Sequence, residues 1–390
     1  IIGWGTSFSA IAVLGTKIGN DLDLPREVIF GGVTAMLVVG AFFSPYCAVL
    51  VERYGPRLMM AFGSLMGAAA LSLIAVANGV AVYWIGWGLF GAAVPLALSN
   101  TAVPAVVHVS GPYARRAVTG LTIIAGVTSA FFLPIGAWLE SQIGWRQTFA
   151  FYALLHVIIC IPLYWLFLPA GRITTKAGGN GADAPWEGVL APHQRRRAFI
   201  LLSVWGCLEG ILVWGFNMQA IDILQGLGLS TTAAIGVWML AGPSQSASRI
   251  GDLLLAGRYS VMSLGIVAAG LAPIGFGILL LAGTGVWSAS VMAICYGLGH
   301  GLFVIARNML PLRLFGLKEF GLVMGRLGLP QNLANGVAPL LFAAVLTHSG
   351  ADGAVWIAFI CSILSLGATL LLARELATSR STPSASTNAG

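Results

Sequence analysis

Apolar positions along this chain come in long runs separated by short polar breaks. The runs cover 1–19, 28–51, 58–77, 80–108, 117–139, 147–168, 199–224, 232–256, 261–283, 286–306, 320–347 and 352–373. A helix that crosses a bilayer needs about 20 mostly apolar residues. The pattern therefore predicts an all-α integral membrane protein with twelve transmembrane helices. One polar stretch, 169–198, is long enough to be a linker, with Arg172, Lys176, Pro185, Arg195, Arg196 and Arg197. It cuts the chain into two six-helix bundles, 1–168 and 199–376. The remainder, 377–390, carries Ser379, Ser381, Thr382, Pro383 and Ser384 and reads as a disordered tail.

The two halves resemble each other. After the second run, Met60 and Gly63 follow Gly55 by five and eight residues; after the eighth, Met262 and Gly265 follow Gly257 at the same offsets. Gly120 precedes Pro134 by 14 residues, and Gly325 precedes Pro339 by 14. A repeat of this length suits a carrier built from two similar bundles.

Composition agrees with the pattern. Of 390 residues, 58% are apolar and 8% are Asp, Glu, Lys or Arg, against roughly 25% charged in a soluble domain. Mean hydropathy is +0.90. Twelve spans of roughly 22 residues use about 264 positions and leave about 126 for loops and tails. A soluble enzyme, a nucleic-acid binder and a disordered chain are all disfavoured, and no sizeable soluble domain fits. No P-loop, catalytic triad spacing or H-E-x-x-H motif is present, so no enzyme activity is expected.

The net charge of +7 acquires a meaning once the basic residues are sorted by side. With an even number of spans both termini share a side. Fifteen of the 20 basic residues fall there: Arg53, Arg57, Arg115, Arg116, Arg172, Lys176, Arg195, Arg196, Arg197, Arg258, Arg307, Arg313, Lys318, Arg374 and Arg380. The other side has three, Lys17, Arg26 and Arg146, while Arg249 and Arg326 lie within spans. The bias places both termini in the cytoplasm. The basic excess then faces the inner leaflet, and nucleic acid is not needed as a partner. Cys47, Cys160, Cys207, Cys295 and Cys361 each lie in an apolar run without C-x-x-C spacing, so they read as buried small residues. The chain starts at Ile1 without Met, and a trimmed N-terminus is expected.

Between the second and third runs stand Ala48, Leu50, Glu52, Arg53, Gly55 and Arg57. This resembles the pattern G-x-L-x-D-R-x-G-R-[RK] of the major facilitator superfamily, with Ala for the first Gly and Glu for Asp. Tyr113, Arg115, Arg116 and Gly120, then Pro134 and Gly144, Trp145 and Arg146, resemble the monocarboxylate and oxalate/formate transporter branch of that superfamily. So does the opening helix with Gly5, Ser7, Phe8 and Ser9. One departure is the lysine that many monocarboxylate carriers hold in the middle of helix 1. It has no counterpart near Ala10 or Ile11, and Lys17 sits nearer the outer end. The resemblance implies alternating access between two bundles, a small-molecule substrate and a monomer in a bacterial cytoplasmic membrane.

An ionisable group near bilayer mid-depth is costly and is a functional candidate with a partner expected. Glu209 sits halfway along the seventh span, on the helix that lines the cavity in the resembled family. A carboxyl in apolar surroundings can exchange protons near neutral pH, as proton coupling requires; the alternative is a structural Glu at a helix contact. Arg249 lies three residues before Asp252 on one helix face. Its planar fork matches a carboxylate, and a helix 8 Arg is the branch's usual anion anchor. The alternative is an Arg249–Asp252 ion pair that latches helix ends. Asp252 is the second proton-coupling candidate.

His300 in the tenth span could bind substrate or relay a proton, or hydrogen-bond to a neighbouring helix. Gln331 and Asn335, four apart, could face a polar cavity or bridge helices. Asn100, Asn217 and Tyr296 are further substrate-binding candidates, for each of which packing is the plainer role. Glu52, Arg53, Arg57 and Arg307 read as inner-gate residues, and Arg326 as a gate pair or snorkelling cation. His156 is in a span that is peripheral in the family and stays outside the expected site. Gly297 and Gly301 read as packing. No cofactor is expected. No Met, His or Cys pair at i,i+4 spacing supports a metal site.

The expected function is proton-coupled transport of a small organic anion of the monocarboxylate kind. An efflux carrier for drugs or metabolites is the alternative, with a metal-ion carrier or a transporter-like sensor further behind.

Overall fold

The computed structural model describes residues 2–126, 128–168, 188–255 and 258–381. Among these the chain is helical nearly throughout. Helix α1 joins Ile2–Trp4, a π turn at Gly5–Ser9 and Ala10–Leu22. Helices α2 and α3 are Arg26–Tyr54 and Pro56–Ala75. Helix α4 joins Val80–Ala97 to Ser99–Ser110 across an extended Leu98. Helix α5 covers Ala114–Gly126 and 128–143; α6 covers 145–155, a π turn at His156–Cys160, and Ile161–Phe167.

Helix α7 joins Arg195–Ile211, a π turn at Leu212–Phe216 and Asn217–Gly226. Helix α8 joins Thr231–Trp238 and Ala241–Leu255. Helices α9 and α10 are Val261–Ala282 and Val286–Phe315. Helices α11 and α12 divide Leu317–Ser381 at Gly350. These twelve helices match the twelve apolar runs. Only part of the linker, from Gly188 on, lies within the described residues; of the expected tail, 377–381 continue α12 as helix and the rest lies outside them.

The breaks have local causes. Ser230 and Ser260 cap α8 and α9, their hydroxyls accepting from the Ala233 and Ser263 amides at 3.3 and 3.0 Å. Gly144 and Gly350 part α5 from α6 and α11 from α12, with φ of 75° and 67°. A side chain strains that backbone, so glycine stands at the same point of each half.

Contacts divide the chain into two compact units: Ile1–Gly178 with Gly321–Val337, and Gly179–Phe320 with Ala338–Gly390. The first half of α11 thus packs in the first unit, where the Ser44 hydroxyl of α2 donates to the Gly325 carbonyl at 2.9 Å. The first unit's core holds Leu14, Ile18, Met36, Leu71, Trp87, Phe149 and Tyr152. The second unit's holds Phe216, Phe276, Met292, Tyr296 and Phe342. Outside these cores the helices expose large apolar side chains, among them Phe43, Leu166, Phe167, Leu254 and Leu281. In hydrocarbon such exposure costs nothing.

Charged contacts gather at helix ends. In the first unit, Arg146 at the start of α6 pairs with Asp21 in the last turn of α1 and donates to the Ala77 carbonyl at 2.9 Å. Trp145 Nε1 donates to the same carboxylate at 3.3 Å. Lys17 lies 3.6 Å from Glu140. In the second unit, Arg195 reaches Glu319 at 2.5 Å and Arg197 reaches Glu375 at 2.7 Å, tying the start of α7 to α11 and α12.

Asp21 follows the apolar run of α1, and the Arg146 guanidinium holds its carboxyl below the ordinary value. Such a carboxylate contributes stability above its unfolded value of about 4, and loses it as pH falls through the lower folded value. Arg146→Gln should lower the thermal midpoint of the detergent-solubilised protein at pH 7. The gap to wild type should close towards pH 3. A gap that stays constant from pH 7 to pH 3 would remove the Asp21 account.

Candidate functional site

The second unit holds most of the expected site. Glu209 lies mid-way along α7, is 5% exposed, and accepts a hydrogen bond from the Ser365 hydroxyl of α12 at 2.5 Å. Ser365 was not legible as a partner, because nothing in the chain's pattern says which face of α12 meets α7. Three residues beyond Glu209 the helix opens into the π turn Leu212–Phe216. Such turns concentrate at functional positions because they widen the helix and re-aim side chains. The electrostatic reach of Glu209 includes Tyr296 on α10 and Cys361 on α12.

Helix α10 carries the rest of the column. The Tyr296 and His300 rings lie nearly parallel, 6.2 Å apart at 14°. Phe303 follows at 6.0 Å from His300 and meets Trp205 of α7 edge-on at 5.0 Å. Trp238 of α8 lies 5.2 Å from Tyr296, and its Nε1 donates to Asn217 Oδ1 at 3.2 Å. The Tyr296 hydroxyl and His300 Nδ1 have no hydrogen-bond partner among the described residues. The charges of Arg249 on α8 and Arg307 on α10 both act on His300. Arg307, expected near a helix end, lies eight residues before the end of α10, about 12 Å at 1.5 Å per residue. The polar residues after 306 continue the helix, with Asn308 Nδ2 donating to the Val304 carbonyl at 2.9 Å.

Close packing sets this geometry. A Cβ on Gly297 would come within 2.4 Å of the Ala241 carbonyl oxygen, and one on Gly301 within 2.5 Å of that of Gln245. The two glycines let α8 lie backbone-to-backbone on α10, which brings Arg249 to the level of His300. Asp252, one turn beyond Arg249, is 1% exposed and accepts from the Tyr259 hydroxyl at 2.6 Å. The unit thus carries a buried carboxyl with a hydroxyl donor, and guanidinium and imidazole groups along neighbouring helices. The first can hold or release a proton; the second matches an anion.

The remaining candidates lie in the first unit. Gln331 and Asn335 are buried on α11, and Asn335 Oδ1 has no hydrogen-bond partner among the described residues. Glu52 and Arg53 are exposed at the end of α2, with Arg53 5.3 Å from the Tyr54 ring. Arg57 lies over the Trp165 ring at 4.5 Å, joining α3 to α6. Arg326 is exposed. The side chain of Asn100 lies outside the described residues. No group of three or more His, Cys, Asp or Glu suited to a metal occurs among the described residues.

Long apolar helices in two units, with ionisable groups buried in their interiors, define a polytopic membrane protein of the transporter kind. Residues 1–317 match the Major Facilitator Superfamily, and the chain belongs to that family. It is 30% identical over 183 residues to the Transcription regulatory protein OpdE of Pseudomonas aeruginosa, covering 45% of this chain and 43% of that one. It is 24% identical over 246 residues to the Putative transporter AraJ of Escherichia coli, covering 59% and 56%. The chain spans about half the length of these curated relatives.

Two solved structures share the fold. The proton:xylose symporter XylE superposes with a TM-score of 0.69 at 16% identity, covering 96% of this chain and 92% of that one. The human organic anion transporter MFSD10 gives 0.65 at 16%, covering 94% and 89%. The family and these structures are transporters, not enzymes.

Removing the donor from a buried carboxyl costs about 1–3 kcal/mol. Ser365→Ala should therefore lower stability by about that amount in denaturant unfolding from micelles. With Glu209→Gln already in place, Ser365→Ala should cost a different amount, the cycle showing coupling of at least about 0.5 kcal/mol. Additive effects would mean that the contact carries no energy.

Proposed function

We propose that the chain is a secondary active transporter that works by alternating access and moves a small organic anion together with protons. The observation that carries this reading is the combination in one unit of the buried Glu209–Ser365 pair with Arg249, His300 and Arg307 along α8 and α10. Glu209 takes and releases the coupling proton. Arg249 holds the substrate anion, with His300 and Tyr296 beside it. Asp252 modulates Arg249 from the same helix. Gln331, Asn335, Asn217 and Asn100 contribute polar contacts to substrate, while Glu52, Arg53, Arg57 and Arg307 serve the inner gate.

Further support comes from the resemblance to monocarboxylate and oxalate/formate carriers. The named activities of two fold neighbours, an organic anion transporter and a proton symporter, point the same way. The two bundles are 1–168 and 199–376, joined by the 169–198 linker. The protein acts as a monomer in a bacterial inner membrane, and the Lys/Arg bias puts both termini in the cytoplasm.

A second reading has one observation behind it: the Pseudomonas aeruginosa relative is named a transcription regulatory protein. In that reading the chain binds its ligand as a sensor and transports little.

Proteoliposomes with a labelled monocarboxylate outside and an inward acid gradient test the proposal. Uptake should rise with the gradient. Arg249→Ala should abolish it, and Arg249→Lys should lower kcat/KM about tenfold through loss of the bidentate fork, about 1.4 kcal/mol. Glu209→Gln should remove the stimulation by the gradient and spare exchange. Full activity in Arg249→Ala would overturn the anion-anchor assignment. Uptake of organic amines in place of acids would favour the efflux-carrier alternative. Saturable binding without uptake would favour the sensor.

A further inference from the structure

The first unit contains a buried titratable group that the proposed mechanism does not use. His156 on α6 is 2% exposed, and its Nε2 lies 3.0 Å from the Thr6 hydroxyl oxygen of α1. Both residues stand in π turns, Thr6 in Gly5–Ser9 and His156 at the head of His156–Cys160. The contact therefore joins two locally widened helices. It also has a counterpart: in the second unit Glu209 of α7 meets Ser365 of α12 just before the π turn Leu212–Phe216. Each unit pins its first helix to its last through one hydroxyl and one titratable group.

Proton counting assigns the histidine's state. The Thr6 hydroxyl oxygen lies 2.9 Å from the Ile2 carbonyl oxygen and 3.4 Å from that of Gly3. We assign the tautomer in which that hydroxyl donates to Ile2, so that Oγ1 accepts from Nε2–H and the neutral ring keeps its lone pair on Nδ1. That Nδ1 is buried and has no hydrogen-bond partner among the described residues. Space beside it comes from α3, where a Cβ on Gly67 would lie 3.5 Å from both Nδ1 and Cε1. Phe90 of α4 packs edge-on against the ring at 6.1 Å.

Among the described residues, the groups that pack against this position are uncharged. From α1 comes Thr6. From α3 come Gly67 and, one turn away, the Ser64 hydroxyl; Arg57 lies at the far end of α3, over Trp165. From α4 comes Phe90, while the Tyr83 hydroxyl is engaged with the Ile29 carbonyl at 2.8 Å. On α6 itself the titratable neighbours are Cys160 and Tyr164, one and two turns on. Of the unit's carboxylates, Asp21 and Glu140 are paired with Arg146 and Lys17, and Asp23 and Glu52 are exposed at helix ends.

We propose that His156 is a proton-binding site of the first unit, separate from Glu209. The Nδ1 lone pair takes a proton from water, and Nε2–H keeps its bond to Thr6. The ring then carries one positive charge with a new N–H that lacks an acceptor. A cation in that position is costly while the interior stays dry. Protonation is therefore coupled to movement of α1 against α6 that admits water at the π turns. Binding of the proton shifts the population of that open form. The proposal does not rest on the anion-carrier reading, because a proton can be followed without any substrate.

The test uses the full chain, labelled with 15N in its histidine rings and held in lipid nanodiscs. Five histidines are present, and His156→Gln identifies the His156 signals; Gln retains an N–H donor at the position of Nε2. If that variant does not fold, conservative changes at His108, His193, His300 and His348 assign His156 by elimination. At pH 8 the His156 ring should be neutral with a bare Nδ1. On acidification to pH 4.5 the Nδ1 signal should move to the protonated position, and it should do so also in Glu209→Gln. Thr6→Val should abolish the preference for the Nε2–H tautomer. A His156 ring that stays neutral down to pH 4.5, or that carries its proton on Nδ1 at pH 8, would overturn the proposal. Loss of anion transport in the Arg249 variants bears only on the earlier reading.

Discussion

Hydrocarbon offers no water to a polar group, so each amide, hydroxyl or charge inside this molecule needs a partner from the chain itself. Most of the architecture follows. The backbone meets the demand by staying helical. Serine and threonine hydroxyls turn back on their own helices, as Ser203 does to Phe199 and Thr369 to Ser365 at 2.9 and 2.8 Å. The Tyr83 hydroxyl crosses to the Ile29 carbonyl. Charges that need no special role sit at helix ends, where Arg146, Lys17, Arg195 and Arg197 find carboxylates in reach of water.

Against that background the interior exceptions stand out. Glu209 has one hydroxyl donor and electrostatic contact with Tyr296 and Cys361. Arg249 and Arg307 share their field at His300. His156 has Thr6 on one ring nitrogen and, among the described residues, no hydrogen-bond partner on the other. A structure selected only for stability would replace such groups with packed apolar side chains. They lie at or near π turns and glycine-mediated helix contacts.

The two units use related devices with different chemistry. Gly144 and Gly350 make the same break in each half. The first and last helix of each unit meet through a hydroxyl and a titratable group, with Thr6 and His156 in one, and Ser365 and Glu209 in the other. The repeat that is faint at Gly55/Gly257 and Gly120/Gly325 is thus clearer in three dimensions. Both halves break at a glycine of positive φ, while the side chains and π turns at the contact between first and last helix differ.

Hydrophobic run length determined the twelve helices and the membrane, and a local motif pointed to the family. Bilayer thickness converts a one-dimensional count directly into an element, and the motif around Glu52, Arg53, Gly55 and Arg57 is local. The same logic picked out Glu209 and Arg249, because a charge inside an apolar run is conspicuous wherever the run folds. Only the tertiary structure could decide partners. Ser365 and Thr6 are ordinary hydroxyl residues until a neighbouring helix turns a particular face towards them. His156 looked peripheral until α1 was seen against it. Arg307 looked terminal until α10 was seen to continue through it. Rotation about each helix axis is set by packing across helices, and that information is spread over many small residues distant in the chain.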